Sequence, residues 1–545
     1  MKNALCVIGI PRGLHRRIFR GKTNINELIR RKNELSPANV SCDVLVVGGG
    51  INGAGIARDL AGRGLSVILA EKDDLAAHTS SSSTKLIHGG LRYLEHREFS
   101  LVRKALAERE VLLRIAPHIM WPMRFVMPHE PSMRPFWLIR AGLFLYDHLA
   151  RREMLSGSET IDLRQHRAGL PLKPFLQRGF VYSDGWVDDA RLVVLNAVDA
   201  NRRGAQIRTR CQCVQARREA GSWAVTLVSE SDPQPMTVRA RLLVNAAGPW
   251  AAQFLKQNAG VSGARTLRLV KGSHIVVPRM FDHDEAYLLQ APDRRVIFVI
   301  PYEDRFTLIG TTDVEVQTLD KPITIDPAEI QYLCDQVNRY FERQIVPADV
   351  VWTYSGVRPL LEDESSDASS VTRDYQLEMD ADGPALMTVW GGKITTYRKL
   401  AEEAARLICL QLGVDCPDWT AAQSLPGGDL SPWVDPTDRP DQDIERFLAR
   451  LVIEYPELPA ALLRRWVRAY GSLVREFLAP GRLGEQVTSG IYEAELRYLR
   501  EQEWARTLDD VLWRRSKLGL HLAPGAYERL SQWWDDENRR TVQAS

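Results

Sequence analysis

Apolar residues recur along this chain either in continuous short runs or at helical spacing, and the alternation marks out its elements. Asp43–Val47 (DVLVV) reads as a strand, a helical spacing follows through Ala61, and Ser66–Ala70 is a second strand-like run ending on Glu71. Ser100–Ile115 has the pattern of a charged amphipathic helix, and Phe136–Ala150 is an apolar helix interrupted by Arg140 and Asp147. Within Arg178–Asp199 a helix opens at Trp186–Ala190. Val225–Val228 and Thr237–Ala240 bracket a turn and predict an antiparallel layer, while Arg241–Trp250 reads as a buried strand ending in small residues. Gly272–Val277, Arg295–Ile300 and Thr307–Asp313 are further strands, long enough together to predict an inserted β region, and a helix follows over Pro327–Arg343. A strand at Ala385–Val389 meets Gly391-Gly392 and a helix that runs to Leu412. Residues 417–440, rich in Pro, Gly and Asp, predict a boundary. Beyond it Ile444–Trp534 reads as helix throughout, with Trp466, Trp504, Trp513, Trp533 and Trp534 suited to a core.

A chain of 545 residues is too long for one core, and we expect three parts. These are a basic extension over 1–42, a nucleotide-binding oxidoreductase region over 43–420, and a helical region over 421–545. Nucleotide-facing segments are expected at about 43–120, 180–267 and 355–412, with substrate-domain insertions between them. The extension carries Arg12, Arg16, Arg17, Arg20 and Lys22 with no acid before Glu27, and its apolar piece Ala4–Ile10 lacks the features of a secretory signal. A formal net charge of +2 argues against a nucleic-acid partner. The seven cysteines are scattered, Cys211 and Cys213 stand too close for the usual metal spacings, and we expect reduced thiols and no metal. No run reaches the roughly 18 apolar residues of a spanning helix. Phe136–Ala150 is therefore either a partly buried helix or one lying in a membrane interface.

The first strand–helix pair carries the chemistry. Gly48, Gly50 and Gly53 complete a G-x-G-x-x-G, and each glycine has a task in holding a dinucleotide. Gly48 makes the tight turn, Gly50 admits a pyrophosphate to the backbone, and Gly53 lets the helix pack on the strand. The helix N-terminus offers free N–H groups and a positive dipole end, and Glu71 stands where a carboxylate accepts from ribose hydroxyls. A hydroxyl-rich stretch with Thr79, Ser80, Ser81 and Lys85 follows, suited to phosphate and ribityl oxygens, and leads into His88-Gly89-Gly90. Gly248 ends the Arg241–Trp250 strand, and Gly391, Gly392, Lys393 and Thr395 form a second strand–helix junction that could face the same ligand.

The motifs GGGINGAGIARDLAGRGLSV, SSSSTKLIHGGLRYLE, VNAAGPW, KGSHIVVP, IGTTD, YSGVRPL, TRDY and GGKITTYRKLAE resemble those of the FAD-dependent, respiratory-type (aerobic) glycerol-3-phosphate dehydrogenases, from about residue 43 to the C-terminus. The resemblance implies an α/β fold, with an FAD-binding Rossmann-like domain of the D-amino-acid-oxidase/glutathione-reductase kind. An antiparallel-β substrate domain and a helical C-terminal domain complete it. It implies oxidation of sn-glycerol 3-phosphate to dihydroxyacetone phosphate, with electrons passed from FAD to a membrane quinone. Several separated dinucleotide-facing segments also favour FAD over NAD. By motif match Arg92, Tyr93, Arg373 and Lys393 are expected at the substrate phosphate, and Arg358 nearer its C2 hydroxyl. Guanidinium forks suit a dianionic phosphate. A histidine titrates near working pH, so His274 is our first candidate base and His88 the second. Arg358 stays protonated and is suited instead to stabilising an alkoxide. Thr312, with Asp313, is expected to position substrate or flavin. The resemblance further implies peripheral attachment to anionic lipid at the cytoplasmic face of the cell membrane, through Phe136–Ala150 or basic residues around Arg497, Arg500, Arg514, Arg515 and Lys517. A homodimer is compatible with it. A soluble oxidase using oxygen and a flavin-binding regulator without turnover stay open as alternatives.

Overall fold

The computed structural model describes residues 40–94, 98–261, 265–361, 374–479 and 481–544, apart from the side chains of Arg92, Tyr93 and 541–544. The expectations for Arg92, Tyr93, Arg373 and most of the N-terminal extension therefore lie outside the described residues.

In β1 (Val40–Val47) the second half, Val44–Val47, is a continuous apolar run because it is covered on both faces, as a central parallel strand must be. It feeds α1 (Ile51–Gly62), and β2 (Val67–Ala70) returns parallel beside it with Val47 opposite Ala70. The chain then leaves this sheet. β3 (Leu86–Ile87), α2 (Phe99–Ile115), β4 (Met120–Pro128), α3 (Phe136–His148), β5 (Glu159–Asp162) and β6 (Arg178–Val187) belong to a second layer. After α4 (Asp189–Arg202) it rejoins the first sheet through β7 (Gln206–Arg208), β8 (Cys211–Glu219), β9 (Ser222–Ser229) and β10 (Met236–Asn245). β8, β9 and the first half of β10 form the predicted antiparallel layer, while β10 runs parallel to β1.

A second excursion adds β11 (Leu267–Pro278), β12 (Ala286–Gln290), β13 (Val296–Tyr302), β14 (Phe306–Gly310), β15 (Val314–Val316), α5 (Pro327–Tyr340) and β16 (Trp352–Leu361). β17 (Gln376–Asp380) and β18 (Leu386–Trp390) close the first sheet, and α6 (Tyr397–Leu412) follows. The first sheet reads β17-β18-β10-β1-β2-β7, and the second β15-β11-β14-β13-β12-β4-β6-β3 with β16 along the other side of β11. Except for the parallel β4–β12 pair, the second sheet is antiparallel. The mixed α/β fold with an inserted antiparallel layer is thus the expected one.

α7 (Pro440–Glu454), α8 (Ala460–Tyr470), α9 (Glu493–Glu501) and α10 (Ala526–Ala544) share one apolar core with α1, α4 and α6. Trp466 and Trp534 are buried in it, and Trp504, Trp513 and Trp533 pack against it. The region is not helical throughout: Gln486–Thr488 and Ile491–Tyr492 form a small hairpin turning at Gly490. The basic residues expected to face lipid there do not form a free cationic surface. Arg515 and Lys517 are buried, Arg514 is paired with Asp74 and Asp510, and Arg497 with Glu493 and Glu537. Cys42, Cys211, Cys213, Cys334, Cys409 and Cys416 are free thiols.

Candidate active site

The residues leading into α1 and α6 line one cavity of about 460 Å³, which runs from the ends of β1 and β2 to the junction between the sheets. At its first end Gly48 takes a φ of +111°, and a Cβ there would strike Ala246 O. Gly53 does not line the cavity: a Cβ on it would collide with Gly48 O, so its role is the predicted close packing of helix on turn. Gly50 is the open position, where among the described residues only Ser80 Oγ comes within reach of a Cβ, at 3.1 Å. The Ile51 N–H at the start of α1 donates to Ser80 Oγ at 3.0 Å, so that amide points at the hydroxyl loop. Buried Glu71 accepts from Gly49 N–H at 2.6 Å and from Asp73 N–H at 2.8 Å, and burial pushes its carboxyl up from the ordinary value. Thr79 Oγ1 donates to Val357 O at 2.7 Å, which ties the hydroxyl loop to β16.

Gly248, Gly391, Gly392, Lys393 and Thr395 all line the cavity, as does His88, whose N–H donates to Thr395 Oγ1 at 3.3 Å. Asn52 on α1 bridges the two glycine turns: its Nδ2 donates to Gly391 O at 3.1 Å, and its buried Oδ1 has no hydrogen-bond partner among the described residues. That bridge was not anticipated, although Asn52 stands inside the G-x-G-x-x-G itself.

His274 and Arg358 come from adjacent strands of the second sheet. β11 and β16 pair so that His274 faces Tyr354 and Arg358 sits four residues along. The His274 ring stacks on Tyr354 at 4.7 Å between centroids, its Nε2 lies 3.0 Å from Thr84 Oγ1, and its buried Nδ1 has no partner among the described residues. Burial, with the cations of Arg358 and Lys85 nearby, holds the imidazole well below its ordinary value, so it is neutral. A neutral ring can take up a proton, and an incoming dianionic ligand would raise its basicity. Arg358 pairs with Asp313 and donates from Nη2 to Thr311 Oγ1 at 3.0 Å. Thr84 and Tyr354 were missed as site residues, although both stand inside motifs already singled out.

Three expectations are corrected. Lys85 does not reach the cavity: its Nζ is buried against Asp189 Oδ1 at 2.7 Å and Ser81 O at 3.2 Å. Ser81 points its hydroxyl back to His78 O at 3.2 Å and does not line the cavity. Thr312 is buried; its hydroxyl donates to Glu329 Oε1 at 2.6 Å and accepts from Ser273 N–H at 3.0 Å, so it braces β11 against α5. In each case a polar group inside the protein captures the side chain: a loop carbonyl three residues back for Ser81, a carboxylate 17 residues on for Thr312 and one 104 residues on for Lys85.

The comparisons with known proteins agree with this geometry. Residues 43–398 match the FAD dependent oxidoreductase family, and 419–533 match the C-terminal domain of alpha-glycerophosphate oxidase. A glycerol-3-phosphate dehydrogenase of Pseudomonas aeruginosa is 50% identical over 502 residues, covering 91% of this chain and 95% of that protein. The chain belongs to the FAD-dependent glycerol-3-phosphate dehydrogenase family. A D-erythritol 1-phosphate dehydrogenase of Brucella abortus is also similar, 48% identical over 506 residues, covering 91% of this chain and 98% of that protein. Among solved structures, the glycerol-3-phosphate dehydrogenase from Bacillus halodurans complexed with FAD superposes with a TM-score of 0.74 at 26% identity, covering 94% of this chain and 93% of that one.

FAD fits the residues present. The carboxylate of Glu71 suits the ribose of its AMP half, and the Gly48–Gly50 turn with the N-terminus of α1 suits its pyrophosphate. The unpartnered Asn52 Oδ1 and the turn at Gly391-Gly392 leave polar groups and backbone open toward the other half. His274, Arg358 and Lys393 line the same cavity at the junction of the sheets.

Proposed function

We propose that this enzyme oxidises sn-glycerol 3-phosphate at C2 to dihydroxyacetone phosphate and passes the electrons to a membrane quinone. The observation that carries this reading is that one cavity joins a dinucleotide cradle to a buried neutral imidazole and two cationic side chains. FAD, when bound, supplies the hydride acceptor that no side chain can provide. His274 takes the hydroxyl proton on its ring. Arg358, its charge oriented by Asp313, stabilises the developing alkoxide oxygen. Lys393, with Arg92, Tyr93 and Arg373, holds the phosphate by charge-assisted bonds. The similarity to the dehydrogenase of Pseudomonas aeruginosa supports glycerol 3-phosphate as substrate. The similarity to the D-erythritol 1-phosphate dehydrogenase supports a second reading, a longer polyol phosphate bound through the same end. Anaerobic mixing of the oxidised holoenzyme with each phosphate and with glycerol tests both. We expect glycerol 3-phosphate to bleach the flavin fastest and glycerol scarcely at all, and bleaching by neither phosphate would end the proposal.

A quinone acceptor requires approach to a bilayer, and no helix among the described residues is long and apolar enough to cross one. α3 supports interfacial attachment. Trp137 (70% exposed), Leu138, Ala141, Phe144 (56%) and Leu145 fall on one outward stripe, while Leu143 and Tyr146 are buried beneath. Such a stripe is reversed from an ordinary amphipathic surface helix. Exposed Arg103 and Arg151, close to the end of α3, add charge that suits anionic lipid. Trp137→Ser with Phe144→Ser should move the protein into the soluble fraction. Unchanged fractionation would exclude this helix as the membrane contact.

A further inference from the structure

We infer that the C-terminal region clamps the AMP end of the FAD site, through a buried ion network joining residues 503–515 to the loop after β2. That loop carries Glu71 at the cavity and Ala76, whose N–H donates to Gly49 O at 3.2 Å in the phosphate turn. Between them Asp74, 2% exposed, does not line the cavity. Its carboxylate accepts from Arg514 Nε at 2.7 Å and from Arg515 Nη1 and Nη2 at 2.7 and 2.8 Å.

A second strut holds the neighbouring edge. Arg210 N–H donates to Asp73 O at 2.7 Å, and its Nη2 donates to the two oxygens of Asp510 at 2.9 and 2.8 Å. Two and three residues along, Gln212 and Cys213 line the cavity. Asp510 also accepts from Arg514 and from the N–H groups of Arg506 and Thr507 at 2.7 and 3.0 Å. Arg515 Nε donates to Glu503 O at 3.0 Å, and the Glu503 carboxylate pairs with Arg191 of α4. Two buried carboxylates therefore receive three guanidiniums from two distant parts of the chain. Removing one partner leaves a buried charge uncompensated, so the network holds as a unit or gives way as one.

No residue after Thr395 lines the cavity among the described residues, so this region reaches FAD only by fixing the loops that do. Asp74, Arg210, Asp510, Arg514 and Arg515 are accordingly positioning residues. The clamp acts on cofactor retention, at the opposite end of the cavity from His274.

The test uses the holoenzyme. FAD release after dilution is followed by the rise of free-flavin fluorescence, and hydrogen exchange is measured at both ends of the site. Asp74→Asn should release FAD at least about tenfold faster, the scale of losing one charge-assisted hydrogen bond. Residues 71–77 and 506–515 should exchange faster together, while 386–396 at the second glycine turn stays as in the parent, and the bound-flavin spectrum is unchanged. General destabilisation would instead speed exchange at both ends, and that outcome overturns the clamp. Parental release from Asp74→Asn also overturns it. Should that variant not fold, Arg514→Gln at the partly exposed member takes its place with the same criteria, and Arg514→Lys should restore most of the retention.

Discussion

The two ends of the cavity use glycine in opposite ways. At the β1–α1 turn, glycine keeps backbone clear so that a ligand and a helix can come close. At the substrate end, glycine makes room for side chains. A Cβ on Gly310 would collide with the His274 ring, and one on Gly272 would collide with the Arg358 guanidinium. The antiparallel register sets this up, since His274 lies opposite Gly310 on β14 and Gly272 opposite Gly356 on β16. The first end is thus a contiguous stretch of chain shaped for a cofactor. The second is a seat assembled across strands, in which small residues fix where a base and a cation sit.

The contrast within the first end gives the largest expected effect. Gly53→Val should yield little folded protein, because the collision is with Gly48 backbone that cannot move away. Gly50→Val meets only a serine hydroxyl, so it should fold and yet purify without FAD. Far-ultraviolet circular dichroism and flavin absorbance separate the two. Full flavin occupancy in Gly50→Val would mean that the pyrophosphate does not pass there.

If phosphate recognition runs through the residue that the motif match assigns to it, Arg373→Ala should raise KM for glycerol 3-phosphate by about tenfold or more, the loss of a charge-assisted bond of about 1.5–3 kcal/mol. Turnover of glycerol, already poor, should change little. Steady-state kinetics on both substrates checks this, and equal losses would remove Arg373 from the phosphate site.

The smallest effect concerns acidity. The folded pKa of His274 lies well below its unfolded value near 6.5, because of burial and the nearby cations. Its contribution is therefore fully present above pH 6.5 and is lost as pH falls below it. From pH 6.5 to 5.5 the parent should lose about 1 kcal/mol more stability than His274→Gln, the linkage cost of one histidine. Denaturant titration at the two values measures the difference, and parallel losses would mean that His274 takes up its proton as readily in the folded enzyme as in the unfolded chain.

What could be read from sequence follows the same division. The cradle was legible because its parts are consecutive, so strand, glycines, helix and Glu71 stand in register on the page. His274 and Arg358 were visible as motif residues, but their seats were not. Gly310, Thr84 and Tyr354 meet His274 only through strand pairing and loop folding. Lys85 and Ser81 were misread because successive loop residues point in different directions, and Asp189, more than a hundred positions away, draws Lys85 inward. The arginines at 514 and 515 looked lipid-facing for a similar reason, since Asp74 lies about 440 residues earlier. The hairpin around Gly490 was hidden by the helices that flank it, its strands being too short to show a period of two.

The most direct test is the single-turnover rate of anaerobic flavin reduction by glycerol 3-phosphate in Gly310→Ala, compared with the parent at equal flavin content. The substitution adds one methyl group, far from the cradle and under the His274 ring. If the substrate end is built as described, FAD occupancy and spectrum stay unchanged while reduction slows by about a hundredfold, the scale of misplacing a general base. Reduction at the parental rate would show that His274 does not take the proton and that the seat lies elsewhere in the cavity.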